Sequence, residues 1–119
     1  MGDRVRAVRG AIVVPEDTPE AVRTATERLL GELLERNALR HDDLISIVFT
    51  ATADLRSAFP AEAARRMGLG DVPLLCAREI DVPGALARVI RVLAHAETDR
   101  PRLAPAYLDG AEVLRDDLA

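Results

Sequence analysis

Four arginines, one glutamate, one tyrosine and one cysteine are the residues of this chain best suited to chemistry. Arg9, Arg65, Arg91 and Arg115 fall at the ends of elements or on faces where apolar residues are expected. Glu79 and Arg91 both lie in the stretch Val72 to His95, VPLLCAREIDVPGALARVIRVLAH, around which the chain is organised. A buried charge is costly unless it is paired or used, so these two are the first functional candidates. Tyr107 is the only tyrosine and Cys76 the only cysteine. A lone thiol in an apolar run reads first as inert and buried. There is no Ser-His-Asp motif, no metal-ligand spacing, no glycine-rich phosphate loop and no dinucleotide fingerprint. What remains is a set that grips carboxylates and stabilises charge, since the arginine fork matches a carboxylate with two parallel hydrogen bonds.

The elements that position these residues can be read in order. Arg4 to Val14 alternates as a strand, and parity places Arg9 with Val5, Ala7, Ala11 and Val13, a face expected to be core. Either Gly10 marks a bulge that turns Arg9 outward, or Arg9 lines a pocket. Thr18-Pro19-Glu20 starts a helix with a capping hydroxyl and a proline at its first position. Val22, Ala25, Leu29, Leu30, Leu33 and Leu34 then recur at helical spacing up to a stop at Asn37. His41 to Asp43 is a polar turn before a short buried strand, Leu44 to Thr50. Pro60 to Met67 reads as a short helix closed by Gly68.

In the central stretch, Pro83-Gly84 is expected to fold one extended half back towards the other, bringing Glu79 near Arg91. Leu86 to Leu93 also fits an amphipathic helix, but its β-branched VIRVL core favours a strand, with Arg91 on the core side. Parity puts Cys76 and Glu79 on opposite faces, so a site using both needs the strand to bend or end near Arg78. The tail carries AYL and a final AEVLR, read as strands, before a solvated Asp116-Asp117.

At 119 residues the chain reads as one domain, 1–119, that buries roughly two thirds of its unfolded surface. Its few aromatics require an aliphatic core. The formal charge of −4 argues against a nucleic-acid partner, which selects a basic excess. One cysteine permits no internal disulfide and fits a reducing cytoplasm. Neither a signal-peptide pattern nor an apolar run near the roughly 20 residues of a membrane span is visible, so a soluble protein without a membrane partner is expected.

Several segments, taken together, resemble a known family. VRGA (8–11), TADLRSAFPAEAAR (52–65), VPLLCAREIDVPG (72–84), IRVL (90–93) and AYLDGAEVLRDDL (106–118) are similar to the small trimeric α/β class of chorismate mutases. The resemblance implies an α+β fold with a mixed sheet of about five strands and two main helices on one face. It implies assembly as a trimeric pseudo α/β barrel, with active sites between subunits. The implied reaction is the Claisen rearrangement of chorismate to prephenate, without a cofactor, on the way to phenylalanine and tyrosine. By the family's pattern Arg91 stands beside the ether oxygen, Arg9 and Tyr107 hold substrate carboxylates, Glu79 takes the ring hydroxyl and Cys76 lies near it. Phe59, Arg65 and Arg115 match residues at the pocket and its mouth. One departure stands out: Glu62 occupies a position where the family often has lysine, and an acid there opposes a dianion.

A pericyclic reaction moves no proton and needs no nucleophile, so the missing catalytic motifs fit this reading. Two others compete with it. A trimeric carboxylate binder, or a pseudo-barrel enzyme such as an imine deaminase, would not need Glu79, Arg91 and Tyr107 together. A plain interaction domain would expose Arg9 and Arg91 in surface ion pairs.

Overall fold

The computed structural model describes residues 3–115. Five strands form one mixed sheet: β1 (Arg4–Val13), β2 (Leu44–Ala51), β3 (Leu74–Arg78), β4 (Val89–Thr98) and β5 (Ala106–Leu108). Their order is β3-β2-β4-β1-β5, with β4 antiparallel to both β1 and β2, and the edge strands β3 and β5 parallel to their neighbours. Helix α1 (Pro19–Arg36) and the short α2 (Pro60–Ala64) pack on one face, giving an α+β fold.

Helix α1 forms where capping and periodicity require it. Thr18 is its N-cap and accepts from the Ala21 N–H at 3.1 Å, Pro19 follows at the first position, and Asn37 ends the helix. Its apolar side, Val22, Leu29, Leu30 and Leu33, is buried against Val8, Ile12, Ile47, Phe49, Ile90 and Val92 of the sheet. Asn37 is buried too, and ties α1 to the later chain by accepting from the Ala104 N–H at 2.6 Å.

The helices cover the face opposite to Arg9 and Arg91. Along β4 the buried positions alternate through Ile90, Val92, Ala94 and Ala96, while Arg91, Leu93 and Glu97 are exposed. The expectation that Arg9 and Arg91 lie on the helix-packed core side is therefore corrected: both stand on the open face. Period-2 alternation separates two faces without saying which one the helices take. Strand β2 is half-buried: Ile47 and Phe49 face inward, while a bulge between Leu44 and Ser46 breaks the alternation and leaves Ile45 exposed.

Four further expectations are revised. The register of β1 on β4 runs unbroken from Arg4 to Val13, so there is no bulge at Gly10. Gly10 is needed for close approach, because a Cβ there would sit 2.7 Å from the Ala106 carbonyl oxygen. The strands β3 and β4 are not neighbours, for β2 lies between them; β3 runs parallel to β2, which a tight turn cannot connect. The helix predicted over Pro60 to Met67 is α2 for its first five residues and then widens into a turn over Arg65–Leu69, kinked inside by Gly68 at φ 91°. AEVLR is a 3-10 turn, Ala111–Arg115, that follows two left-handed residues, Asp109 and Gly110. Asp116 and Asp117 lie outside the described residues.

Candidate active site

Strand β4 carries Arg91 in the middle of the sheet, where it pairs across to Thr50 of β2 and Ala11 of β1. Glu79 follows the last residue of β3, and its N–H continues the ladder to the Ala51 carbonyl at 3.0 Å. The two charges meet over β2. Arg91 Nε lies 3.1 Å from Glu79 Oε2, and the Thr50 hydroxyl donates to that same oxygen at 2.6 Å. The Glu79 side chain is only 15% exposed and that of Arg91 is 50% exposed. Because the pair uses Nε, no ion pair among the described residues occupies the terminal nitrogens of Arg91 on the open face.

Around this pair the open face forms a cleft of about 430 Å³ lined by Arg9, Thr50, Arg91, Tyr107 and Arg115. Each arrives from a different element. Arg9 comes from β1, Tyr107 from β5 beside Ala11, and Arg115 from the last described turn. Tyr107 is buried by Ala11, Val89 and Ala111, which fixes its ring. Asp109, at the turn after β5, pairs with Arg28 of α1 and anchors this end of the chain. That partner raises the Arg28 pKa, through the hydrogen bond first and charge second.

The remaining expected residues lie elsewhere. Cys76 points to the helix side of β3, in register with Phe49, and lines a separate open cleft of about 730 Å³ with Phe59, Arg56, Glu62 and Arg78. Phe59 is 70% exposed at its mouth. Arg65 is exposed in the widened turn after α2 and lines neither cleft. Strand β3 does end at Arg78, but no bend brings Cys76 onto the Glu79 face. One protomer thus gathers Arg9, Arg91, Glu79, Tyr107 and Arg115, and holds Cys76, Phe59 and Arg65 apart.

This geometry can place fixed cations beside an anionic ligand. No group of three or more His, Cys, Asp or Glu among the described residues could hold a metal ion. Among the described residues, no helix is long and apolar enough to cross a membrane. The exposure of Arg9 and Arg91 in the protomer would equally suit an interaction domain, and likeness to known proteins separates the readings. A family model described as chorismate mutase type I matches residues 5–118. The chain belongs to that family. It is 56% identical over 117 residues to Chorismate mutase AroH of Thermus thermophilus, covering 96% of each chain. It is 38% identical over 118 residues to Chorismate mutase AroH of Bacillus subtilis (strain 168), covering 97% of this chain and 93% of that one. Among solved structures, a chorismate mutase from Clostridium thermocellum matches with a TM-score of 0.88 and 48% identity, over 90% of this chain and 97% of the other.

For a chorismate mutase of this type, sequence reasoning passed over two residues. Thr50 reads as a strand end, yet its hydroxyl holds the Glu79 carboxylate; its place on the Ser46–Val48 face of β2, opposite Ile47 and Phe49, was the available signal. Arg56 reads as a loop arginine, yet it borders the Phe59 cleft.

Proposed function

We propose that this protein converts chorismate to prephenate in aromatic amino acid biosynthesis, using the Arg91 cleft and no cofactor. The observation that carries the reading is the Arg91 guanidinium, held through Nε by Glu79 with its outer edge free beside Arg9 and Tyr107. As the ether C–O bond breaks, negative charge grows on the departing oxygen, and Arg91 is the cation that meets it. Removing a single donor of this kind from other enzymes costs about 3–4 kcal/mol of barrier. Arginine keeps its proton in any cleft, so the charge is always present. Arg9 and Tyr107 hold the substrate carboxylates in the reactive chair, Arg115 closes over them, and Glu79 takes the ring hydroxyl. Fixing that chair supplies the entropic part of catalysis.

The site is completed by a second copy of the chain. Cys76 and Phe59 lie on the helix side of β3 and Glu79 on the open side, so one protomer cannot turn both groups towards one substrate. A neighbouring subunit brings its Phe59, Arg65 and Cys76 to the Arg91 cleft, and closure of this relation around a three-fold axis gives a homotrimer with three sites. The single free cysteine suits a cytoplasmic setting.

The test is the loss of chorismate absorbance with purified protein in the presence of a chelator, and acid conversion of the product to phenylpyruvate. Rapid turnover is expected. A folded protein that leaves chorismate untouched would refute the assignment.

A further inference from the structure

The loop between β2 and α2 is stitched to the fold at two points. Asp17, one residue ahead of the cap of α1, accepts three hydrogen bonds on Oδ1: from the Arg56 N–H at 3.0 Å, the Ser57 N–H at 3.1 Å and the Ser57 hydroxyl at 2.7 Å. Asp54 accepts the Thr52 hydroxyl at 2.5 Å and, on its other oxygen, the Arg88 N–H at 3.0 Å, just before β4. Arg88 is held there in a left-handed conformation at φ 52°. A surface loop fixed both to α1 and to the head of β4 has little freedom left to lose when a ligand binds.

Arg56 stands between those two stitches. Its Nε donates to the Ala53 carbonyl at 3.3 Å, and its side chain is exposed. None of the four ion pairs among the described residues includes it. Together with Thr52 it is shared by two clefts: the one lined by Phe59 and Cys76, and one of about 350 Å³ lined by Glu79 and Arg91. An exposed cation in no close ion pair, within electrostatic reach of the Asp17 carboxylate and on a pinned backbone between the two clefts, is placed to receive an anionic group.

We infer that Arg56 binds a carboxylate of the substrate, and that Asp17, through Ser57 and the Arg56 backbone, positions it. The inference rests on the chorismate reading above. It adds a binding residue and a positioning residue, and separates their effects from the chemistry at Arg91.

The experiment pairs chorismate kinetics with calorimetric titration of prephenate, which reports binding without turnover. Arg56→Gln should raise both KM and the prephenate Kd about five- to tenfold, the effect of losing one partly solvated charged contact. Its kcat should stay within about twofold of the parent and its KM should depend less steeply on salt. Arg56→Lys should recover part of the loss. Asp17→Ala should raise KM in the same direction although Arg56 is intact; Ser57→Ala, which deletes one of the three donors, should do so more weakly and serves if Asp17→Ala fails to fold. Parent-like KM and Kd in Arg56→Gln would overturn the inference alone. A parent protein that neither binds prephenate nor consumes chorismate would overturn the underlying reading as well.

Discussion

Arg91 and Thr50 approach the same oxygen of Glu79, at 3.1 and 2.6 Å. A carboxylate oxygen with two donors is held in place, and it holds the guanidinium in turn, so the cation is positioned before substrate arrives. Arg91→Gln should therefore lower kcat by roughly 10²–10³-fold, with melting temperature little changed because the side chain is half exposed. Thr50→Val keeps the ion pair but loosens its anchor, and should cost about tenfold or less in kcat, the scale of one hydrogen bond. Steady-state kinetics beside a thermal melt checks both; equal losses from the two variants would contradict the division of roles. Charges that interrupt apolar runs are visible in a sequence, which is why Glu79 and Arg91 could be named from it. Thr50 could not, because a threonine in a strand is ordinary until a carboxylate from a distant strand is seen to reach it.

At the level of elements, Gly10 and Asp17 carry the most. Gly10 lets β5 lie against β1, so Gly10→Ala must displace the Ala106 carbonyl and with it Tyr107. The expected cost is about 1–3 kcal/mol of stability, typical of overpacking, together with a raised KM. Denaturant unfolding and kinetics would show it, and a variant as stable as the parent would mean that β5 yields freely. Asp17 has its pKa lowered, chiefly by the Ser57 hydroxyl and further by two backbone N–H groups. A carboxylate depressed in the fold stabilises it fully above the unfolded value and loses that contribution as pH falls through the folded one. The parent's advantage over Asp17→Asn in melting temperature should thus be level from pH 8 to about 5 and shrink below 3.8. An advantage that grows in acid would exclude a role for the Asp17 carboxylate in holding the Arg56–Ser57 backbone. The strands and α1 were legible because caps, alternation and β-branching are local signals. The pairing was not: Pro83-Gly84 signals a turn, but β2 slips between the strands it joins, and only tertiary packing decides that. Nor was the 3-10 turn over AEVLR, where left-handed Asp109 and Gly110 override an apolar run.

Across the whole molecule, the separation of residues onto two faces of β3 makes a prediction that a self-contained site would not. Arg91→Gln and Phe59→Ala proteins, each of low activity, should complement one another when unfolded together and refolded in equal amounts. Random assortment in a ring would leave about one site in four with both intact halves. No recovery in the mixture would put the whole site in one subunit. Sedimentation should find a trimer, whose formation would cover the exposed Val5, Leu75 and Leu93 of the open face. The sequence could suggest this assembly only by resemblance, since alternation looks the same whether a strand's second face meets water or another subunit. The strand order has one more consequence, for biosynthesis. Both neighbours of β1, β4 and β5, come far later in the chain, and the Arg6 Nε to Arg100 carbonyl contact spans 94 residues. At about 5–20 residues per second on the ribosome, β1 waits roughly 5–20 s for these partners. During that time α1 can cover it, and Arg9 and Arg91 come together only once the long stretch between them has been made.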